Sequence, residues 1–579
     1  MVIKEGIREE VTIFSSDSGP TLSKLLWWTL KLFSSVILPL VVLSCTALAA
    51  DPPVTRYEVG NAKANIASFR DAVLAMMKLD CKAGQTAPAC EQAAGGVKAN
   101  ANLSGLGWWY QASIHGSLTG EMTRDAWNRC EHSSWFFLPW HRMELYFFER
   151  VLRKVAKDNT LALSYWDFSS NPKLPDDFRM QMIKGSPNAL WWPFRNTKLN
   201  TDNQPLCSSV VSASKAFKQT AFFTNIYAVG GMSFGGGAIT RIPAAGPPVI
   251  HGPGGAGGGQ IERAPHDLIH LSVGDGTAKS MSRVAGSGLD PVFWPIHVNI
   301  DRAWACWQQK HPGSEPVSDA WLNAAKFTFI DVQDADPGYK TVVMTAKQVI
   351  DTANQLGYVY DKPCTGFLPA ADLTLPVSGA PQLSPADQTL SVLSATSEFH
   401  GILADEPVTV AVPLTTEIQE RVAAIVRAGS DAPAGSILLT ITGRAVDHEV
   451  GAGYKMYLNL PDRERPDPNG IHYADSLSFF GIGHHMASGM SALVDPAPLN
   501  HSHNAMPDLL NEFIYNNSGI SYDITEVVGQ LVANQKWDKD SLAVTFTTKS
   551  LDATPCVGPP PATPDARARF SYITFSVVR

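Results

Sequence analysis

Six histidines between residues 115 and 297 are spaced as two sets of three. His115, His132 and His141 form the first set; His266, His270 and His297 form the second. His266 and His270 stand four apart, so on a helix both rings project from one face. His297 opens another apparent helix after the break at Asp290-Pro291. Two ligands from one helix and a third from a facing helix is how helix bundles build metal sites. His132 and His141 flank an aromatic run, and Pro139 stops one helix from spanning both. His132 therefore belongs to a loop, and His141 heads a helix with Leu145, Phe148 and Leu152 on one face. Three neutral imidazoles per ion, with no carboxylate or thiolate, suit copper, zinc or iron. A lone histidine is more often a hydrogen-bonded core residue than a ligand. Two triads inside aromatic helical segments are hard to explain that way.

These segments carry a family resemblance. His132 with Phe137, Leu138, Trp140, His141, Arg142, Leu145 and Glu149 resembles the first copper signature of tyrosinases and catechol oxidases. Asp290-Pro291, Phe293-Trp294, His297 and Asp301 resemble the second. Glu262, Pro265, His266 and His270 lie between them, as in that family, and Tyr165-Trp166-Asp167-Phe168 resembles its Tyr-Trp-Asp-aromatic segment. The resemblance implies a type-3 dinuclear site. His115, His132 and His141 would hold one copper ion, and His266, His270 and His297 the other, with O2 as co-substrate. His115 has the least motif support, resting on Tyr110 to Gly116 and its spacing to His132.

The resemblance also implies supporting roles. Cys130, two residues before His132, would form a thioether to that imidazole; a disulfide or plain thiol is the alternative. Glu262, one helical turn before His266, would hold a water, and Asp267 follows His266 where relatives carry Asn, Asp or Gly. Together they are the candidate catalytic pair for taking a proton from a monophenol. A helix-terminal charge and a solvated surface residue are the competing readings. Val284 stands where many plant members place a bulky Phe, so Val284, Arg283 and Leu271 are the candidate substrate-pocket residues. Asn299 and Asp301 are candidates to orient metal-bound rings. One departure is Ile296, where the family often has a second histidine before the final ligand.

Around the motifs, helical periodicity covers residues 60–80, His141–Val155, Ala264–Leu271 and Ile296–Gln309. Residues 230–259 hold twelve glycines, including the loop around His251, and read as a surface loop. A Pro/Ser/Ala-rich stretch from Pro369 to Pro385 reads as a linker. Beyond it, Val408–Val412, Ile437–Thr442, Tyr454–Leu460, Leu542–Thr547 and Phe570–Val578 alternate as strands. The expected fold is a mainly α helix-bundle catalytic domain, the four-helix bundle of type-3 copper proteins, followed by an antiparallel β-sandwich C-terminal domain. The expected division is a secretory signal peptide at 1–49, a copper domain at 55–365, a linker at 366–390 and the β domain at 391–579.

The β half more loosely resembles the C-terminal domain of plant and some bacterial polyphenol oxidases. There it acts as a lid that inserts a side chain over the coppers. Phe479 and Phe480, before Gly481, are the plug candidates; burial of both in the β core is the alternative. His484, His485, Met486, Met490, His501, His503 and Met506 form a cluster that could load copper, or a polar loop with incidental His and Met.

Composition bounds the rest. The chain has 579 residues, 45% hydrophobic and 17% charged, which is globular and excludes a disordered chain. A net charge of −8 sets nucleic acid aside as a partner. Lys24 and Lys31 precede an apolar run from Leu32 to Ala50 that contains Ala47-Leu48-Ala49. That reads as a signal for a secreted or periplasmic protein, with an uncleaved membrane anchor as the alternative. Seven cysteines follow Cys45, an odd number that leaves one outside any pairing.

The expected activity is o-hydroxylation of monophenols and oxidation of o-diphenols to o-quinones, on a small phenolic substrate. A homo-oligomer fits equally well with a monomer. A catechol oxidase without the first step is one alternative, and a haemocyanin-like O2 carrier is another of a different class.

Overall fold

Three aromatic rings hold the helices that surround the histidines. Phe148 stacks on Trp294 with ring centroids 3.3 Å apart, and Trp108 meets both edge-on at 6.1 and 6.2 Å. They come from helices α2 (Trp108–His115), α3 (Phe137–Ala156) and α5 (Phe293–Lys310). α1 (Ile66–Asp80) packs on α2 and α3, and α4 (Leu268–Val273) precedes α5. The protein is represented by a computed structural model. It describes residues 52–81, 86–87, 103–118, 126–224, 232–238, 257–369, 392–428, 435–447, 451–481, 520–548, 555–563 and 566–578. The signal or anchor segment, His251, most of the glycine-rich loop, most of the linker and the His/Met cluster at 484–506 lie outside those residues. Among the described residues no helix is long and apolar enough to cross a membrane.

α3 and α5 begin alike. Phe137-Leu-Pro139-Trp-His141 and Phe293-Trp-Pro295-Ile-His297 each place a proline in the first helical turn, where its missing N–H costs nothing. Both helices therefore start four residues before their histidine rather than at it. The expected helix over Ala264–Leu271 is a correction. Residues Glu262–Asp267 form a wide turn broken at Ala264, whose φ/ψ of −149°/123° is extended, and the regular helix begins at Leu268. Pro265 pushes the residue before it out of the helical region.

The termini of the helical half close on a buried charge network. β1 (Val54–Arg56) pairs in parallel with β4 (Tyr358–Tyr360), and β2 (Phe327–Val332) with β3 (Tyr339–Met344) flanks α3. Asp301 accepts from the Arg142 guanidinium, from Tyr358 and Tyr360 (2.5 Å each), and from Arg56 at 3.5 Å. Arg56 also reaches Glu149 at 3.0 Å. Burial disfavours the Asp301 charge, yet Arg142 and Arg56 hold its pKa below the usual range. Asp301 was expected to orient metal-bound rings; it instead holds the arginines that join β1, α3 and α5. Asn299 likewise accepts from Arg302 at 2.8 Å.

The C-terminal half contains two four-stranded antiparallel sheets. Their strands are β5 (Val392–Glu398), β6 (Val408–Pro413), β7 (Ser436–Thr442), β8 (Gly453–Leu458), β9 (Tyr473–Ser478), β10 (Ile520–Asp523), β11 (Ser541–Thr547) and β12 (Tyr572–Val578). One sheet runs β6-β11-β8-β9 and the other β10-β7-β12-β5. Alternate residues from both, such as Val410, Val412, Ile437, Leu439, Ile573 and Phe575, enter one core with helices α6 (Thr416–Ala428) and α7 (Thr525–Ala533).

This half lies against the helices. Val557 exchanges backbone hydrogen bonds with Pro205 and Cys207 (2.8 and 2.9 Å), beside a Cys207–Cys556 disulfide. Asp475 on β9 accepts from Lys215 at 2.9 Å and pairs with Arg263 at 3.5 Å. Arg263 also donates to the Ser521 carbonyl and lies 4.2 Å over the Tyr522 ring.

Two outcomes follow from these charges. Asp301→Ala leaves two buried guanidiniums short of a partner and should cost about 3–5 kcal/mol. A denaturation midpoint no lower than that of the exposed control Asp334→Ala would refute the role of Asp301. At Asp475, burial raises the carboxyl pKa, but Lys215 and Arg263 outweigh it and keep it low. Its contribution is present above the unfolded pKa of about 3.9 and is lost as pH falls through the folded value. Exchange of the β9 amides, corrected for intrinsic rates, should therefore accelerate below about pH 4 in the wild type. In Asp475→Asn it should be fast at neutral pH as well.

Candidate dinuclear metal centre

All six histidines of the two sets meet in one buried cluster. Within the first set, ring centroids are 5.3–5.6 Å apart; within the second, 4.5–5.1 Å. The sets touch, since His141 stacks on His297 at 5.0 Å and His132 lies 5.7 Å from His266. Ring nitrogens of His266, His270 and His297 lie within 4.8 Å of one another. The same limit links His115, His141 and His297, and also His132, His141 and His266. α2 ends on His115, a loop supplies His132, α3 carries His141, the Glu262–Asp267 turn and α4 supply His266 and His270, and α5 carries His297.

Five rings have their outer nitrogen anchored. Nδ1–H donates from His141 to the Phe137 carbonyl (2.7 Å), from His297 to Phe293 (2.9 Å) and from His270 to Met281 (2.8 Å). His115 donates to Ser287 Oγ (3.1 Å) and faces the Val284 carbonyl (3.3 Å); His266 donates to Asp267 Oδ1 (2.9 Å). Anchoring Nδ1–H fixes the tautomer and leaves the Nε2 lone pair facing inward. The Phe-x-Pro-x-His repeat explains two anchors, since each histidine reaches the phenylalanine carbonyl one turn back. Gly116 permits a third. A β-carbon there would meet the Val284 carbonyl at 2.5 Å and push that turn away from His115.

Burial, followed by the neighbouring histidines, holds His115, His266 and His297 well below the usual imidazole range. Burial takes His141 to about 3, with His270 adding to the fall, and takes His270 to about 4, each against a backbone hydrogen bond that favours the charged form. These five rings are thus neutral, with lone pairs and no protons at their centre. Nε2 of His115 and of His141 has no hydrogen-bond partner among the described residues. His297 Nε2 approaches those of His266 and His270 at 3.2 and 3.4 Å, where lone pairs repel unless a cation lies between them. This donor set fits two soft, imidazole-binding ions.

The carboxylates cluster on one side. Glu262 accepts from the Ser133 backbone at 2.6 Å, beside His132, and Oε2 has no partner among the described residues. The broken turn, not helical spacing, brings it there. A β-carbon on Gly258 would lie 2.8 Å from that oxygen, so glycine makes room for it. Burial raises Glu262 well above the carboxylate range, and Asp267 adds to the rise. Burial lifts Asp267 to about 8, opposed by Arg444 and a Ser478 hydrogen bond. Arg444 and Ser478 come from the C-terminal half and carried no motif. The buried Cys130 Sγ lies within 4.8 Å of ring nitrogens of His115 and His132.

The C-terminal half also reaches the histidines. Phe480, just after β9, sits 4.4 Å from His270 and 5.8 Å from both His132 and His266. Phe479 turns the other way, into the sheet core against Tyr454. Successive residues of an extended chain face opposite sides, so one phenylalanine serves each core. The pocket candidates are dispersed. Val284 is buried, with a methyl 3.7 Å from where a β-carbon on Gly481 would stand. Arg283 is directed onto the Gly276 carbonyl (2.8 Å), and Leu271 is buried toward Gly453.

Comparison with known proteins agrees with this geometry. Residues 106–310 match the family described as the common central domain of tyrosinase, whose members bind two copper ions. The chain is 27% identical over 480 residues to the tyrosinase HcTyr1 of Hahella sp. (strain CCB-MM4), covering 76% of this chain and 88% of that one. It is 26% identical over 373 residues to a chloroplastic polyphenol oxidase of Malus domestica, covering 60% of this chain and only 57% of the plant protein. A solved latent aurone synthase (polyphenol oxidase) superposes with a TM-score of 0.50 at 17% identity, over 92% of this chain and 90% of that one. At that identity the superposition speaks for the fold alone. With the family match spanning all six histidines, residues 106–310 belong to the tyrosinase and polyphenol oxidase family of type-3 copper proteins.

Proposed function

We propose that this chain uses O2 to o-hydroxylate monophenols and to oxidise o-diphenols to o-quinones. The observation that carries the reading is the set of buried, neutral imidazoles whose Nε2 atoms converge under an aromatic side chain. In this reading His115, His132 and His141 hold one copper ion and His266, His270 and His297 the other. When bound, the copper pair supplies the two electrons that O2 needs to react with a closed-shell phenol.

The chain's own residues do the rest. The anchored Nδ1–H groups keep each ring oriented, and the aromatic walls exclude water. Glu262, buried and raised in pKa, can take a proton from an incoming phenol through a water, because its Oε2 has no partner among the described residues while Oε1 is held by the Ser133 backbone. Asp267 is tied to His266 and Ser478, which orients the ring first. That engagement favours a second reading, a catechol oxidase in which proton removal from monophenols is weak.

The same proposal covers the architecture. The helices form the four-helix bundle of the copper domain (55–365), and the two sheets form a β-sandwich lid (391–579) beyond a linker at 366–390. Phe480 is the plug, standing where a substrate ring would stack on His270. A signal peptide at 1–49 would export the chain. Cys130, close to His132, would carry the thioether, losing one hydrogen from sulfur and one from the imidazole carbon.

Oxygen uptake tests the activity. Copper-loaded protein should consume O2 with a catechol and, after a lag, with tyramine. Phe480→Ala should raise uptake about tenfold or more, because the open site becomes the dominant state. Uptake on the catechol alone would select the second reading, and silence on both in Phe480→Ala would refute the oxidase. Independently, intact-mass analysis should read two hydrogens fewer than the disulfides explain, and Cys130→Ser should restore the full mass.

A further inference from the structure

The two halves of the chain are joined twice: once along the backbone between residues 369 and 392, and once by the Cys207–Cys556 disulfide. Cys207 belongs to the buried core of the helical half, only 3% exposed. Cys556 is half-buried and precedes the Val557 strand contact of the C-terminal half. Their separation of 349 residues makes this bond a strap across the interface. Both sulfurs line a cavity of about 460 Å³ between the halves, walled by Asn196, Lys198 and Ser209 on one side and Lys455 and Ser476 on the other. Another disulfide, Cys306–Cys364, differs: both its cysteines are buried, at 0% and 7% exposure.

We propose that Cys207–Cys556 is a thiol-operated latch on the C-terminal lid, opened by a low-molecular-weight, anionic thiol entering the cavity. The lid role rests on the plug reading of Phe480. The lysines attract a thiolate or carboxylate, and the half-buried Cys556 Sγ is the sulfur it can reach. The attacking thiolate bonds to Cys556 Sγ, the S–S bond breaks, and Cys207 leaves as a thiolate that takes a proton. A second thiol resolves the mixed disulfide. Two small thiols are thereby oxidised to their disulfide, and the protein gains two electrons and two protons as two cysteine thiols. Until then, backbone scission between the halves does not free the lid. The strap keeps redocking intramolecular, at an effective concentration of order millimolar, and Phe480 returns to His270 after each opening.

The test uses the copper-loaded full chain with a protease site introduced between residues 370 and 391, cut to completion. The wild-type cysteine pair is compared with Cys207→Ser/Cys556→Ser, without thiol. The cut disulfide-intact protein should run as one species on size exclusion and in non-reducing denaturing gels. Its oxygen uptake on a catechol should stay near that of the uncut chain. The cut double variant should separate into two fragments, with uptake higher by about tenfold or more. Glutathione, removed before assay, should do the same to the cut wild type, and a brief exposure quenched with acid before resolution should trap the adduct on Cys556 rather than on Cys306 or Cys364. That arm stands even if the double variant misfolds.

Full activation of the cut, unreduced wild type would overturn the latch. So would fragments that stay together after reduction, or an adduct confined to Cys306 or Cys364. Separation without a rise in uptake would leave the latch standing and refute the plug.

Discussion

Six imidazoles packed into one buried volume must all be neutral and must all point the same nitrogen inward. Nearly every feature around them serves that constraint. A protonated ring here would face other rings at about 5 Å, so burial and the neighbouring imidazoles drive the protons off. Tautomer choice then falls to the outer nitrogen. Three of the acceptors are backbone carbonyls at helix starts or turns, which cannot titrate and so hold the same tautomer at every pH. His266 alone among the five anchored rings depends on a carboxyl, Asp267, and that carboxyl is itself regulated by groups from the other half of the chain.

Orientation at this precision needs helices that do not slide. The stack of Trp108, Phe148 and Trp294 fixes three of them by shape, and the Asp301 network fixes α3 to α5 by charge. The network costs desolvation of several ions, and its geometry answers that cost. Arg142 lies 3.5 Å over Trp304 and donates to the Val349 and Ile350 carbonyls, so its charge is shared among several partners. A charge network is less tolerant of helix displacement than apolar packing, because a shift of an ångström breaks hydrogen bonds while a leucine cluster would repack.

The histidine spacing was legible because ligand geometry is written into local periodicity. The pair His266 and His270 needs only one helical turn, and the strands of the second half show their alternation plainly. What depended on backbone departures was not legible. Ala264 leaves the helical region, so Glu262 reaches Ser133 by a path that helical counting does not describe. Asp301 sits in a motif that suggested ring orientation, but its partners Arg56, Tyr358 and Tyr360 come from distant strands with no signal of their own. β5, β9 and β10 were missed because polar or small residues interrupt their alternation. The Phe-x-Pro-x-His repeat was the available clue to the two backbone anchors, since a proline in a first turn locates the helix start.

β9 connects the two halves through the Asp475 charges and through its register. It is an edge strand of its sheet, with β8 as its one strand neighbour among the described residues, and the pairing carries an irregularity between Met456 and Tyr457. Beyond Ser478 the chain alternates once more, sending Phe479 to the sheet core and Phe480 to His270. A slip of one residue would move Phe479 out of the sheet core and put either Phe479 or Gly481 at the histidines in place of Phe480. Phe479 therefore acts as the register pin for Phe480, because its burial in the sheet core is lost in the slipped alignment. Arg444, which donates to the Ser478 carbonyl at 2.7 Å, adds a polar lock at the same point. An edge strand can leave its neighbour more easily than a central one, so the position of Phe480 combines a sharply specified docked register with a strand whose backbone ladder, among the described residues, lies on one side only.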